Sequence, residues 1–261
     1  MSEKLPISVH VLTRNSARTL GRALQSLPPC SEILVVDGGS TDGTVDIARS
    51  FGARILEERS GQNGLPNFAA LRNIALRNTT QPWIFILDSD EELSQELRNA
   101  LMTITASDTP AAFLVPRHYV DRDGTVVLHA STYPNERVFF FHRDVAEEWI
   151  KPVHERIRLK PGTAIRRLQG TSLAALPTIE EFKEKNRRYI AVEVQESRDR
   201  GWMHWLRRVA HTLRSRTIAT VRLLLIWLIP RRGKRLPLRH ELLRYWYAWT
   251  LLVQTCPLGR T

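Results

Sequence analysis

The sequence predicts an α/β fold: one domain with a mostly parallel central sheet, followed by a separate helical tail. Three observations carry that prediction. Between residues 7 and 105 short β-branched runs alternate with segments of helical period. Those runs are almost continuously apolar, the pattern of strands covered on both faces of a parallel sheet. The charge, finally, is confined to one end. Residues 1–200 hold 26 Lys+Arg against 26 Asp+Glu, whereas residues 201–261 hold 12 against Glu241 alone. The net charge of +11 and five of the seven tryptophans thus fall in the last quarter, separating a neutral body, 1–200, from a cationic tail, 201–261. A chain of 261 residues suits one large domain plus such an appendage.

In order, Ile7–Leu12 is a β-branched run that reads as a buried strand, broken by the polar turn Thr13-Arg14-Asn15-Ser16. Leu20, Ala23, Leu24 and Leu27 mark a helix that Pro28-Pro29 ends. Glu32–Val36 is a second strand, closed by Asp37-Gly38-Gly39-Ser40, and a helix over Val45–Phe51 follows with Gly52 at its end. Ala53–Leu56 reads as a strand, residues 59–67 as a polar loop, Phe68–Arg77 as a helix and Trp83–Leu87 as a fourth strand. The acidic run Asp88-Ser89-Asp90-Glu91-Glu92 leads into a helix from Ser94 to about Thr105. Beyond it the pattern turns β-like at Ala111–Pro116, Thr125–Leu128, Arg137–His142 and Glu155–Leu159, and residues 178–197 read as an exposed helix.

Ligands of parallel α/β sheets sit at the carboxyl ends of the strands. Here those ends carry Thr13–Asn15, Asp37–Ser40 and Asp88–Asp90, which should converge on one crevice. Asp88 and Asp90, two residues apart past a buried strand, point to similar sides of an extended segment. They suit a hard divalent cation, Mg²⁺ or Mn²⁺, completed by water and phosphate. An Asp-x-Asp alone also serves as a solvated turn or helix start; its place after an apolar strand favours the cation. Asp37 can accept from a ribose hydroxyl or base N–H, while Ser40 or Asp42 caps the next helix. No G-x-G-x-x-G follows the first strand, so this is not a dinucleotide fingerprint.

Taken together VLTRN, EILVVDGGSTDGTVDIA, NFAALRNIAL and WIFILDSDEEL resemble the nucleotide-binding half of a family 2 glycosyltransferase with the GT-A fold. RVFFFH at Arg137–His142 and Pro152-Val153-His154-Glu155 resemble a bacterial subgroup related to lipopolysaccharide core β-glucosyltransferases, and the resemblance spans residues 5–195. It implies that Asp37 contacts the nucleoside, that Asp90 ligates the cation with Asp88 in support, and that Thr13 and Asn15 line the same pocket. Arg72 and Asn73 would lie below the donor diphosphate; without the resemblance Arg72 reads as an exposed helical arginine. His154 and Glu155 become the catalytic pair, one as general base and the other as a metal or diphosphate contact, in either order. Glu91 and Glu92 are rival bases that a helix N-terminus explains equally well. One departure stands out: relatives often carry a histidine near Leu168–Leu173, where this chain reads LQGTSL.

The reaction implied is transfer of a hexose from a nucleoside diphosphate sugar to a hydroxyl of a lipid-linked or lipopolysaccharide acceptor, metal-assisted and inverting. A polyprenyl-phosphate acceptor or a non-catalytic membrane-associated nucleotide-sugar binder are the alternatives. Ile218–Ile229 and Leu242–Cys256 are too short to span a bilayer. With their tryptophans and flanking arginines they suit helices lying on the inner face of a membrane, although packing on the domain is a competing role. No nucleic-acid module is visible, so nucleic acid is not an expected partner. Cys30 and Cys256 form neither a disulfide framework nor a metal spacing, and the start of the chain shows no signal-peptide pattern. The expected location is therefore cytoplasmic, at the membrane periphery.

Overall fold

A computed structural model describes residues 4–58, 67–107, 109–198 and 200–259. The polar loop predicted at 59–67 lies, except for Asn67, outside the described residues. Chain contacts divide the chain into two compact units, 1–119 with 134–175, and 120–133 with 176–261.

The first unit begins with β1 (Leu5–Thr13), α1 (Ala17–Gln25), β2 (Cys30–Asp37), α2 (Thr44–Ser50), β3 (Arg54–Glu57), α3 (Phe68–Asn78) and β4 (Trp83–Asp88). β5 (Glu91–Leu93), α4 (Gln95–Thr105) and β6 (Ala112–Val120) follow. After β7 (Val127–His129), which belongs to the second unit, come β8 (Glu136–His142), β9 (Ala146–Ile150), β10 (Arg156–Leu159), β11 (Ile165–Arg167) and β12 (Ser172–Ala175). Nine strands form one sheet in the order β3-β2-β1-β4-β8-β6-β12-β5, with β11 beside β6.

β1 and β4 are central and covered on both faces. Ile7, Ser8, Val9, His10 and Val11 are all fully buried, and so is every residue of Trp83–Leu87 to within 1%. That burial is what their unbroken apolar runs demand. Trp83 stacks on Phe140 at 4.9 Å between centroids, which knits β4 to β8.

The sheet is only partly parallel, which corrects the sequence prediction. β3-β2-β1-β4 pair in parallel, but β8 runs antiparallel to both β4 and β6, and β12 antiparallel to β5. Parallel neighbours need a crossover, usually helical. Among the described residues the first unit contains no further α-helix after α4, so hairpin-like antiparallel pairings dominate. β5, β9, β11 and β12, at three to five residues each, are too short for periodicity to reveal.

The second unit holds α5 (Ile179–Glu196), α6 (Trp202–Leu228), β13 (Lys234–Arg235) and α7 (Leu238–Gln254). α5 opens on a capping box, Thr178 with Glu181. Glu241, the tail's single acid, is buried and accepts from the Ser131 N–H at 2.8 Å and its hydroxyl at 2.5 Å, fixing α7. The Trp205 indole donates to the Leu252 carbonyl at 3.0 Å, joining α6 to α7. No helix among the described residues is long and apolar enough to cross a membrane.

Candidate active site

Thr13, Asp37 and Asp88 do end β1, β2 and β4, as the sequence predicts, and the register Thr13↔Asp37 and Leu12↔Asp88 sets them side by side. The Thr13 hydroxyl donates to Asp37 at 2.8 Å. Asp37 is buried, and its carboxylate is saturated from within. Oδ1 accepts from Thr13 and the Ser40 hydroxyl, Oδ2 from the N–H groups of Gly39 and Ser40. Four acceptor positions are about what a carboxylate has, so a nucleoside reaches Asp37 only by exchanging one of these bonds. Asn15 adopts a left-handed φ of 53° and accepts from the Thr41 N–H at 2.8 Å, closing the rim beside the same turn.

Arg72 differs most from its sequence reading. Asn67 caps α3 by accepting from Ala70 N–H at 3.0 Å, and the first turns of that helix carry Arg72 inward to 2% exposure. Its Nη2 donates to Asp88 Oδ1 at 2.9 Å and its Nε to Glu155 Oε1 at 3.0 Å. The guanidinium lies over the rings of Phe139, at 5.3 Å, and Trp149, at 5.2 Å. Burial opposes its charge, but the two carboxylates prevail and raise its pKa above the usual arginine value. The sequence offers Arg72 as an exposed cation or a diphosphate contact; the structure makes it a buried bridge between two acids. Asn73 is likewise used internally, donating to the Trp149 carbonyl at 2.9 Å and accepting from the Trp149 N–H at 2.8 Å.

Asp88, Asp90 and Glu91 bring one carboxylate oxygen each to within 4.8 Å of one another. Asp90 is exposed, Asp88 partly so, and Glu91 buried. Three hard oxygens with one side open fit Mg²⁺ or Mn²⁺. Glu91 belongs to β5, paired through Ala174 to β12, and α4 starts only at Gln95 with Ser94 as its cap. The helix N-terminus therefore does not account for Glu91. Its carboxylate meets Arg117 at 2.5 Å and accepts from the Ser172 hydroxyl. Burial pushes its pKa up to about 7 against the pull of Arg117. Glu92 faces the other way, a loose exposed pair with Arg22 at 3.7 Å.

His154 and Glu155 sit in the turn between β9 and β10 and have different surroundings. Glu155's side chain is 8% exposed and tied to Arg72. His154 is exposed and held at a left-handed φ of 53°. Within LQGTSL, the segment near which the resemblance implies a histidine, Gly170 has a φ of +81° and an added Cβ there would lie 2.2 Å from the Leu97 nitrogen. No side chain fits at that residue without a shift of backbone; Ser172, two positions on, donates to Glu91. Sequence reasoning passed over Arg117 and Ser172. Neither carries a periodic signal: Arg117 alternates with Val115 and Tyr119 in AFLVPRHYV, and Ser172 with Ala174 in SLAA.

Residues 8–157 match the model of glycosyl transferase family 2. The chain belongs to that family. It is 36% identical over 118 residues to the lipopolysaccharide core biosynthesis glycosyltransferase LpsC of Rhizobium meliloti, covering 45% of this chain and 44% of that protein. An uncharacterized glycosyltransferase of Rickettsia bellii is 38% identical over 118 residues, 44% of this chain and 38% of that one. The chain thus matches less than half the length of these relatives. Among solved structures, the mannosyltransferase PcManGT from Pyrobaculum calidifontis, in complex with GDP-Man and Mn²⁺, superposes with a TM-score of 0.52 at 17% identity. That match covers 97% of this chain and 86% of that one, and it shows a shared fold of the GT-A type.

Proposed function

We propose that this chain transfers a hexose from a nucleoside diphosphate sugar to a hydroxyl of a lipid-linked or lipopolysaccharide acceptor. A single displacement would invert the anomeric centre. The observation that carries this reading is the carboxylate trio Asp88, Asp90 and Glu91 at the carboxyl end of β4, beside the Thr13–Asp37 strand ends. The name of the Rhizobium relative supports an acceptor of the lipopolysaccharide core, and the ligands of PcManGT are in keeping with such a donor and metal.

Asp88 and Asp90 would hold a divalent cation, which would supply charge neutralisation for the departing nucleotide diphosphate. Thr13, Asn15 and Asp37 shape the nucleoside side of the crevice. Arg72 and Glu155 act through Asp88: the buried ion pairs fix the orientation of that carboxylate, which makes both of them positioning residues. His154, exposed beside this network, is the group we assign to take the proton of the acceptor hydroxyl.

The decisive experiment is calorimetric titration of UDP, GDP and their glucose and mannose conjugates, with and without Mn²⁺, into wild type and Asp90→Asn. Metal-dependent binding of one nucleotide that Asp90→Asn abolishes is the expected result. Equal binding by both proteins would remove Asp90 from the metal site. For catalysis, His154→Ala should lower kcat by ~10²–10⁴ with donor affinity unchanged, whereas Glu155→Gln should weaken metal-dependent donor binding as well.

The second unit supports membrane contact. Ile218, Val221, Leu224, Leu225, Trp227, Leu228 and Ile229 are all more than 40% exposed, while Ala219 and Ile226 alone in that stretch are buried. With Arg222, Arg231 and Arg232 among them this surface suits an anionic interface, at the periphery of a cytoplasmic membrane face. Flotation with phosphatidylglycerol-containing vesicles should carry the protein upward, and Leu224→Glu with Leu228→Glu should leave it at the bottom.

A further inference from the structure

β6 and β8 run side by side with Val115 paired to Arg137, and the Arg117 N–H donates to the Asn135 carbonyl at 2.9 Å. Side chains alternate along a strand, so Val115 and Arg117 share one face with Asn135 and Arg137. That face, with Phe139, Asp88, Glu91 and Ser172, lines a shallow cavity open to solvent. β8 lies beside β4 on the side away from β1 and β2. The cavity therefore adjoins the carboxylate trio on the side away from β1 and β2.

The cations around it are not equivalent. Arg117 is committed to Glu91 and Arg72 to Asp88 and Glu155. Arg137 makes no ion pair or side-chain hydrogen bond among the described residues, and neither does the Asn135 amide. The Arg137 guanidinium is half-buried and lies over the Phe139 ring at 5.7 Å, which holds its plane while leaving its donors unused. A guanidinium oriented by an aromatic face, with its fork open into a cavity, suits bidentate recognition of an oxyanion.

We propose that Arg137, assisted by Asn135, is a subsite for an oxyanion carried by the acceptor, a phosphate or a carboxylate on the saccharide that receives the sugar. The inference rests on the transferase reading and names the acceptor class for that site. The sheet order argues for the acceptor over the donor. The nucleoside side of the crevice lies at β1 and β2, and Arg137 is on β8, beyond β4. The donor diphosphate would be served by a cation held at Asp88 and Asp90. An anion on the far side of that cation belongs to the other substrate.

The test uses glucose 6-phosphate as probe, with glucose as the uncharged control. Both are titrated calorimetrically into full-length protein saturated with Mn²⁺ and its preferred nucleotide. Wild type should bind the phosphate ester and not glucose, and Arg137→Gln should weaken that binding tenfold or more while nucleotide affinity stays within twofold. Arg137→Lys, which keeps the charge and loses the fork, should fall between, and circular dichroism of each variant verifies that it is folded. Phosphate-ester binding that persists in Arg137→Gln belongs to the arginine-rich tail and overturns the proposal. So does a loss of nucleotide binding in Arg137→Gln, which would assign the residue to the donor diphosphate, and so does an absence of phosphate-ester binding in wild type. Failure of wild type to bind any nucleotide would count against the transferase reading instead. The phosphate-ester arm, run without nucleotide, would still report on Arg137.

Discussion

Arg72 Nε and Glu155 Oε1 meet at 3.0 Å although 83 residues separate them in sequence. The same guanidinium reaches Asp88 at 2.9 Å. The turn that carries His154 and Glu155 is therefore tied, through one buried cation, to a carboxylate of the trio. Breaking that tie strands two acids, one of them nearly buried, and so costs more than the pair itself contributes.

Arg72→Met should accordingly destabilise the protein by ~3–5 kcal/mol, the usual consequence of leaving a buried partner charge uncompensated. Urea denaturation measures it. The double variant Arg72→Met/Glu155→Gln should recover at least ~1 kcal/mol of the loss, because the uncompensated acid is gone. Strict additivity of the two changes would show that the two side chains do not interact in solution.

How much of this was legible beforehand divides along physical lines. β1, β2 and β4 were, because an unbroken apolar run has few alternatives to a buried strand, and the polar residues at their ends followed. The role of Arg72 was not. A lone arginine in NFAALRNIAL has the same helical spacing whether it faces solvent or a buried acid, and the acid that decides the matter is 83 positions away. Glu91 reads equally as a rival base or as part of a helix start, because β5 is three residues long and exists only through its pairing with β12. The mixed half of the sheet was hidden for the same reason: short strands are specified by their neighbours more than by their own period.

Gly170 packs directly against the backbone at the start of α4. Its φ of +81° lies in the left-handed region, and a Cβ there would stand 2.2 Å from the Leu97 nitrogen and 2.7 Å from the Glu96 carbonyl carbon. Neither atom belongs to a flexible side chain, so the backbone at the start of α4 or at Thr171 must move. Gly170→Ala should cost ~3 kcal/mol or more, well above the ~1 kcal/mol of an unstrained left-handed glycine. Because Ser172 follows and donates to Glu91, Mn²⁺ affinity should fall with stability. Thermal denaturation and Mn²⁺ titration read the two effects. An unchanged melting temperature would mean that the close approach to α4 is absent.

His10 makes stability depend on pH from within the sheet. It is fully buried in β1, and its Nε2 pairs with the Thr79 hydroxyl at 2.6 Å. Burial first, and Arg72 second, push its pKa from 6.5 down to about 3. Above pH 6.5 the ring is neutral folded or unfolded, and His10 adds no pH dependence. As pH falls below that value the unfolded chain takes up a proton that the folded chain refuses until about pH 3, so stability is lost. Between pH 7.5 and 5.5 the loss from this residue amounts to about 1 kcal/mol. Other groups titrate in that window, notably Glu91 with its pKa near 7, so the informative quantity is a difference. Urea denaturation of wild type and His10→Gln at the two pH values isolates it, because the remaining groups contribute alike to both proteins. The variant should lose about 1 kcal/mol less than wild type on acidification. Parallel losses in the two proteins would place a charged His10 in the fold, and with it an acid closer to the ring than Glu32.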